Sequence, residues 1–247
     1  KPFFIYFRGI DASKLLKQEK YVETLKLLAR HASGVIFVAP TLERNLKDHG
    51  LVLPTTLILP SGVDTKSFRV GKKDENLCVS IGRFVEKKGH TDTIRAFAKI
   101  SSSFPDMRLA IFGDGPLLGT SQELAKSLNV EDKINFPGAV DHLAIRDALA
   151  RATFYFQSSR TASDGDTEGF PSSIQEALAS GSVVVSTQHA GANDFLEHEV
   201  NAMLFPEGDI ECMVKNVSIL MRNPDLLKQL ASSGRQYAES FFDAETG

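Results

Sequence analysis

Glu168 and Glu176 are two carboxylates separated by seven residues, and the second lies on a helix predicted for residues 172–179. The first turn of a helix offers free backbone N–H groups and the positive end of the helix dipole, where a phosphate can rest. A carboxylate one to two turns further along can accept hydrogen bonds from sugar hydroxyls. This spacing therefore predicts a site for a phosphorylated sugar.

The same residues also permit a structural interpretation, which stays open at this point. Ser173 and Glu176 have the Ser-x-x-Glu spacing of a capping box, and Ser172 with Gln175 is an equal candidate for such a box. Glu168 can be an exposed acid in a loop rich in Gly and Asp.

A second group of charges lies in the loop 82–89, directly after a strand-like run at residues 77–81. Glycines bracket this loop and let the backbone turn tightly and approach a ligand. Arg83 and Lys88 place two cations at the mouth of the predicted sheet, where a diphosphate would need them. The alternative is a solvated charged loop.

Two weaker patterns complete the list of candidates. Gly113-Asp114-Gly115-Pro116 is a turn by composition, and a single Gly-x-Gly is weak evidence for nucleotide binding. The absence of Gly-x-Gly-x-x-Gly with a later acidic residue disfavours an NAD-dependent enzyme. Asp164-Gly165-Asp166 is the nearest approach to a metal-binding group, and we interpret it as a flexible acidic loop. We predict no metal site.

Strand-like and helical stretches alternate along the chain and must position these residues. Strands are predicted at residues 3–7, 34–38, 56–59, 77–81, 109–112, 133–136, 153–156, 183–186 and 202–205. Helices are predicted at residues 14–32, 41–49, 91–102, 121–128, 143–150, 172–179 and 209–242, the last broken near Asn223. Near-continuous apolar strands between helices favour an α/β fold with a parallel sheet covered on both faces. Ligands bind such sheets beyond the carboxyl ends of the strands, where the charged loops lie.

The chain is predicted to have three parts. These are the end of one α/β unit at residues 1–59, a more complete α/β unit at residues 60–230, and a C-terminal helix at residues 231–247. Residues 71–76 are polar and are interpreted as a linker or an exposed loop. Because Lys1 leads straight into a strand-like run, we expect the first unit to be incomplete and the final helix to be truncated.

The composition excludes several classes of protein. The 247 residues are 42% hydrophobic and 24% charged, which is ordinary for a folded chain, and the net charge of −3 gives no sign of broad nucleic-acid binding. Cys78 and Cys212 form neither a disulfide framework nor a metal spacing. With no signal peptide and no apolar span of about 20 residues, the sequence favours a cytoplasmic location.

In chain order, these motifs resemble the retaining GT-B glycosyltransferases of the large Glu-x7-Glu family, the glycosyl transferases group 1. The Glu-x7-Glu segment is similar to that family's signature. Further resemblances lie at residues 60–68, 82–89, 113–116, 136–138, 191–195 and 201–205. The resemblance implies a GT-B fold, in which residues 1–59 end a Rossmann-like acceptor-side domain and residues 60–230 form the Rossmann-like domain that binds the nucleotide sugar.

The resemblance also implies a role for each matching residue. Arg83, Lys88 and Glu168 would be catalytic: the two cations bind the donor diphosphate, and Glu168 lies by the transferred sugar. Glu176 would hold the ribose, and backbone atoms of Val140 would contact the base. The other implied donor contacts are Gly82, Asp114, Gly169, Phe170, Pro171 and Ser172, with Asp114 mainly a turn former.

The activity of the family implies an enzyme that moves a sugar from a UDP-, GDP- or ADP-sugar to a glycan or lipid-linked acceptor. It implies no cofactor and a place in polysaccharide biosynthesis. Its transition state resembles an oxocarbenium ion, and the acceptor attacks on the face from which the diphosphate leaves, so configuration is retained. Arg8 stands where many relatives have His. By analogy, peripheral contact with the inner face of a membrane is also implied.

Two alternatives remain open. A GT-B UDP-sugar epimerase would share the fold and the diphosphate site, and would isomerise the donor alone. A non-catalytic nucleotide- or glycan-binding fragment would bind without turnover.

Overall fold

The computed structural model describes residues 1–189 and 191–245, which form two parallel β-sheets with helices packed against them. The smaller sheet contains β1 (Phe4–Phe7), β2 (Gly34–Phe37) and β3 (Thr56–Ile58), in that order. Helices α1 (Glu19–His31) and α2 (Pro40–Asp48) lie in the connections between these strands. Parallel pairing requires such crossover connections.

The larger sheet has six parallel strands in the order β6-β5-β4-β7-β8-β9. Its strands are β4 (Asp74–Ile81), β5 (Arg108–Phe112), β6 (Ile134–Gly138), β7 (Ala152–Gln157), β8 (Val183–Thr187) and β9 (Met203–Phe205). Its helices are α3 (His90–Ser103), α4 (Leu118–Ser127), α5 (His142–Arg151), α6 (Ser172–Ala179), α7 (Ile210–Arg222) and α8 (Pro224–Phe241). The chain runs outwards from β4 to β6 and then returns to β7 on the other side of β4. Such a reversal creates a crevice beyond the carboxyl ends of the strands.

Buried apolar strands hold the larger sheet between two helix layers. All six residues of β7 are buried, and successive side chains of a strand point to opposite faces. Phe154 and Phe156 belong to the core on one face together with Phe97 of α3, whereas Tyr155 belongs to the other core together with Ile174 of α6. The predicted α/β class, with a parallel sheet covered on both faces, is confirmed.

The long first helix predicted at residues 14–32 is wrong at its beginning. Residues 14–17 form a 3₁₀ turn, the backbone of Gln18 is extended, and α1 begins at the next residue. The turn buries Leu16 in the core, and Lys14 lies 2.5 Å from the carboxylate of Asp164. Helical periodicity is a local signal, which tertiary packing can override.

The polar stretch at residues 71–76, predicted as a linker or an exposed loop, contains the start of β4. The backbone carbonyl of Asp74 accepts a hydrogen bond from Thr153 at 2.8 Å. Burial lowers the pKa of Lys73 to about 7. The amino group of Lys73 donates to the backbone carbonyls of Leu149, Ala152 and Ser180. The prediction is wrong for residues 74–76, which belong to β4, whereas residues 71–73 lie outside any strand. Composition does not reveal the carbonyl groups that accept from an inward-turned lysine.

Helix α8 is the longest helix of the described residues, with 18 residues. The division predicted between residues 230 and 231 falls inside it. Neither α8 nor any other helix in the described part of the chain is long and apolar enough to span a bilayer.

One segment of chain, residues 59–73, connects the two sheets, and the segment that follows α8 is bonded to it. The backbone N–H of Val63 donates to the carbonyl of Phe242 at 2.7 Å, and the N–H of Ala244 donates back to the carbonyl of Val63 at 3.0 Å. The hydroxyl of Thr65 donates to the carboxylate of Asp243. The two segments therefore lie side by side in a short parallel bridge.

Candidate active site

A buried histidine holds the loop that follows β4. His90, the first residue of α3, donates from Nε2 to the carbonyl oxygen of Gly82 at 3.1 Å, and its Nδ1 lies 3.4 Å from Ser80 Oγ. The ring of Phe84 packs against the imidazole with 4.5 Å between centroids. Burial lowers the pKa of His90 to about 4, so the ring is uncharged at neutral pH. His90 therefore fixes the Gly82 carbonyl without adding a charge.

Two glycines in this loop permit contacts that a Cβ would prevent. An added Cβ at Gly82 would lie 2.9 Å from Cδ of Lys88, so the aliphatic stem of the lysine runs across this glycine. Gly89 has φ of 62°, in the left-handed region, and a Cβ there would overlap the carbonyl oxygen of Ser158. These contacts bring the loop against the end of β7.

Glu168 lies between two lysines. Its Oε2 is 3.2 Å from Nζ of Lys88, its Oε1 is 3.4 Å from Nζ of Lys87, and its side chain is 12% exposed. Burial favours a raised pKa, but the two ammonium groups outweigh burial and hold the pKa of Glu168 below its usual value. Oε1 has no hydrogen-bond partner among the described residues, although it is within ion-pair distance of Lys87. One oxygen of an ionised carboxylate is therefore left to accept.

The acidic loop before Glu168 is paired with lysines. Nζ of Lys14 lies 2.5 Å from Asp164, whose backbone carbonyl accepts from Lys17 at 3.0 Å. Nζ of Lys87 lies 3.2 Å from Asp166. Within residues 1–189 and 191–245, no three His, Cys, Asp or Glu side chains form a group that could hold a metal ion.

The N-terminus of α6 is open. The helix begins at Ser172, and no side chain of the described residues caps it. Neither capping box of the structural alternative forms, because Ser172 and Ser173 lie inside the first turn, and Ser173 Oγ accepts from the hydroxyl of Tyr155 at 2.7 Å. The sequence spacing could not show this competing partner on β7. The N–H of Ile174 donates to the carbonyl of Pro171 at 3.1 Å, and the positive dipole end with the other first-turn N–H groups can receive an anion.

Glu176 lies one turn into α6 and is paired with a histidine of another helix. Its Oε1 is 3.2 Å from Nε2 of His142, the first residue of α5. The side chain of Glu176 is 14% exposed, whereas that of His142 is 71% exposed. Asp141 caps α5 by accepting from the backbone N–H of Ala144 at 2.8 Å, which fixes His142 at the helix start.

Most of the predicted residues line one cleft at the carboxyl edge of the larger sheet. A first cavity of about 520 Å³ is lined by Gly82, Arg83, Lys88, Glu168, Phe170, Pro171, Ser172 and Glu176. A second cavity of about 530 Å³ is lined by Asp114 and Val140. Ile81, Gly82, Arg83 and Ile145 border both cavities, so the two lie side by side. The cleft lies where the strand order reverses, at the ends of β4 and β7.

Gly169 and Asp114 act mainly through the backbone. Gly169 is not among the residues that line either cavity. A Cβ on Gly169 would lie 2.7 Å from the carbonyl oxygen of Arg8, so this glycine packs against the residue that follows β1 of the smaller sheet. Asp114 forms a turn, because its Oδ1 accepts from the N–H of Gly115 at 2.7 Å and its carbonyl accepts from Phe84 at 2.9 Å.

Sequence reasoning missed four residues in or beside this cleft, namely Lys87, His90, His142 and His189. A single histidine has no spacing pattern, and position alone was the available signal: His90 follows the loop 82–89, and His142 lies two residues after Val140. Arg8 and Ser61 also line the first cavity. The sequence singled out Arg8 only as a replacement for the family's His, and Ser61 only as part of the matching segment 60–68.

Comparison with known proteins identifies relatives among glycosyltransferases. The putative colanic acid biosynthesis glycosyltransferase WcaL of Salmonella typhimurium is 27% identical over 244 residues, covering 97% of this chain and 60% of the relative. The amylovoran biosynthesis glycosyltransferase AmsK of Erwinia amylovora is 26% identical over 220 residues, covering 87% of this chain and 53% of the relative. The chain therefore spans between half and two thirds of the length of these relatives.

Solved structures share the fold. The crystal structure of Anabaena Alr3699/HepE in complex with UDP and glucose superposes with a TM-score of 0.87 at 20% identity, over 100% of this chain and 69% of that chain. The C-terminal domain of the glycosyl transferase group 1 family protein LpcC from Francisella tularensis gives a TM-score of 0.65 at 19% identity, over 74% of this chain and 100% of that chain. These similarities confirm the GT-B type of fold. The family model for glycosyl transferases group 1 matches residues 63–237, which include every residue of the predicted donor site, and the chain belongs to that family.

Proposed function

We propose that this chain carries the donor site of a retaining hexosyltransferase, which moves a sugar from a UDP-, GDP- or ADP-sugar to a glycan or lipid-linked acceptor. The observation that carries the proposal is the arrangement of charges around one cleft. Arg83 and Lys88 follow β4, Glu168 precedes α6, and Glu176 lies on that helix. Two cations, an open helix N-terminus and two carboxylates match the diphosphate and the hydroxyl groups of a nucleotide sugar.

The diphosphate is bound by Arg83, Lys88 and the first turn of α6. Negative charge develops on the diphosphate as its bond to the sugar breaks, and cations already in place stabilise that charge. The loss of one such group raises the barrier by about 3 kcal/mol. Because the stem of Lys88 lies across Gly82, the ammonium group needs little reorganisation to act.

Glu168 positions the transferred sugar. Lys87 and Lys88 favour its ionised form, and an ionised carboxylate accepts hydrogen bonds from sugar hydroxyls. The same negative charge stabilises a sugar with oxocarbenium character. The acceptor then attacks on the face from which the diphosphate leaves, and configuration is retained.

The nucleoside extends along the cleft. Glu176 holds the ribose hydroxyls in place of its contact with His142, and the backbone of Val140 contacts the base in the second cavity. Arg8 and Ser61 border the first cavity from outside the larger sheet.

The names of the relatives support a place in polysaccharide biosynthesis. WcaL is named for colanic acid and AmsK for amylovoran, and HepE was crystallised with UDP-glucose. By analogy, we place this chain in the cytoplasm, with peripheral contact at the inner membrane face for a lipid-linked acceptor.

Thermal unfolding in the presence of UDP, GDP, ADP and NAD tests the donor site. A ligand at 100 times its dissociation constant adds about 2.7 kcal/mol to the free energy of unfolding, which raises Tm by several degrees. We expect one nucleoside diphosphate to give this shift, NAD to give none, and Glu176→Ala to lose most of it.

The control is Glu123→Ala, which removes an exposed carboxylate of α4 that pairs only with Lys126 among the described residues. This variant should keep the full shift. A wild-type chain that no nucleoside diphosphate stabilises, or a Glu176→Ala variant that is stabilised as strongly as the wild type, would contradict the proposal.

A further inference from the structure

We propose that His189 is a specificity residue that holds a hydroxyl group of the transferred sugar together with Glu168. This inference rests on the proposed donor site and extends it. It assigns recognition of the sugar, as distinct from the nucleotide, to the loop that follows β8.

The position of His189 is fixed by the end of β8. Its N–H donates to the carbonyl of Thr187 at 2.8 Å, and its own carbonyl accepts from the N–H of Asn193 at 3.0 Å. Thr187 in turn donates from Oγ1 to the carbonyl of Ser159, beyond the end of β7, at 2.7 Å. The loop is thus attached to the same sheet edge that carries the cleft.

This loop crosses directly over the segment that bears Glu168. A Cβ added to Gly191 would overlap the carbonyl oxygen of Gly169, so the two backbones touch there. His189 lies two residues before Gly191, and Glu168 lies one residue before Gly169. Burial has the largest effect on the pKa of His189, and among the charged groups the carboxylate of Glu168 has the largest effect and acts to raise it.

The imidazole of His189 has no hydrogen-bond partner in the described part of the chain, although it is only 3% exposed. Neither Nδ1 nor Nε2 is paired. Buried polar atoms without partners are rare in folded proteins, because each loses its hydration and gains nothing in return. Oε1 of Glu168 also lacks a hydrogen-bond partner there, although it lies 3.4 Å from Nζ of Lys87. A ligand hydroxyl would supply the hydrogen bonds that these three atoms lack.

The chemistry of these atoms fits one hydroxyl group. Burial lowers the pKa of His189 and outweighs the nearby carboxylates of Glu168 and Glu207, so the ring is neutral and offers one N–H donor and one acceptor. An ionised carboxylate only accepts. A sugar hydroxyl can donate its hydrogen to Oε1 of Glu168 and accept from the N–H of His189, whereas a phosphate oxygen would be repelled by Glu168.

Binding of matched pairs of ligands to variants of His189 tests the assignment. Dissociation constants are measured by titration calorimetry for UDP and UDP-glucose, GDP and GDP-mannose, and ADP and ADP-glucose. In His189→Phe, which keeps the ring shape and removes both nitrogens, we expect about tenfold weaker binding of the preferred nucleotide sugar and unchanged binding of its nucleoside diphosphate. His189→Gln, which keeps a donor and an acceptor, should restore part of the loss.

The outcomes separate this inference from the proposed function. Equal affinity of the wild type and His189→Phe for the nucleotide sugar would overturn the role of His189. Binding of the nucleoside diphosphate and of the nucleotide sugar weakened by the same factor would also overturn it, because that result indicates a structural role. If the Phe variant does not fold, His189→Leu serves for the same comparison. A wild-type chain that binds none of the six ligands overturns the donor site itself.

Discussion

Lys87 and Lys88 are neighbours in the chain with different surroundings. Lys88 lines the first cavity and touches Glu168, whereas Lys87 bridges Asp166 and Glu168 and is not among the residues that line the cleft. A charge acts on a ligand chiefly when it can contact it in a partly dry site. We therefore expect Lys88 to contribute to donor binding by direct contact and Lys87 to contribute indirectly, through Glu168.

Lys88→Met should weaken binding of the nucleoside diphosphate between tenfold and a hundredfold, because one charge-assisted hydrogen bond is lost. Lys87→Met should weaken it less, and serves as the matched control with the same change of side chain. Titration calorimetry measures both. Equal losses in the two variants would show that general charge around Glu168, and not contact with the diphosphate, governs binding.

At the scale of elements, the loop 82–89 depends on the neutral imidazole of His90. The folded protein holds the pKa of His90 at about 4, while the unfolded chain has the usual value of 6.5. Between these values the unfolded state binds more protons, so stability falls as the pH falls from about 6.5 to 4. Over this whole pH range, protonation of His90 lowers the free energy of unfolding by about 3 kcal/mol.

His90→Gln should remove this part of the pH dependence, since the glutamine amide can still donate to the Gly82 carbonyl and does not titrate. Urea unfolding at several pH values from 7 to 4 gives the free energy of unfolding for both proteins. The wild-type curve should fall more steeply. Parallel curves would mean that His90 is protonated in the folded state, against the geometry described.

Gly89→Ala tests the close approach of the loop to β7. The new Cβ would overlap the carbonyl oxygen of Ser158 and would also strain a left-handed backbone. Gly208→Ala is the matched control, because Gly208 has φ of 75° with nothing within 4 Å of an added Cβ. We expect Gly89→Ala to cost about 1–3 kcal/mol more than the control in urea unfolding. Equal costs would show that backbone strain alone matters.

Local sequence patterns predicted the features that depend on residues close together in the chain. The apolar strands of the larger sheet follow from strand periodicity. The place of the charged loops follows from the rule that ligands bind parallel sheets beyond the carboxyl ends of their strands. The break at Gln18 and the occupied hydroxyl of Ser173 do not follow from such patterns, because the turn before Gln18 buries Leu16 in the tertiary core and Ser173 is bonded to Tyr155 on β7. The roles of single histidines could not be predicted either, since burial and partners, not spacing, define them.

At the scale of the whole molecule, Asp194 lies after β8 of the larger sheet and is hydrogen-bonded to α2, the helix between β2 and β3 of the smaller sheet. Its carboxylate accepts from the backbone N–H of Thr41 at 2.8 Å, in the first turn of α2, and from Arg44 at 2.7 Å. The side chain of Asp194 is only 7% exposed. A buried carboxylate at a helix N-terminus contributes more than an exposed ion pair such as Lys14–Asp164, where the carboxylate is 49% exposed.

Asp194→Ala should therefore lower the free energy of unfolding by about 2 kcal/mol. Asp164→Ala, which also removes a contact between the two parts, should lower it less. Urea denaturation followed by circular dichroism compares the two variants. A larger loss in Asp164→Ala would reverse the ranking that burial predicts.

The bridge between Val63 and Asp243 has a topological consequence. Val63 belongs to the segment that passes from the smaller sheet to the larger one, and Asp243 belongs to the segment that follows α8. Every strand of the larger sheet lies in the chain between these two residues. The bridge therefore closes the larger sheet and its helices into one loop of chain, whose two ends meet beside the crossing to the smaller sheet.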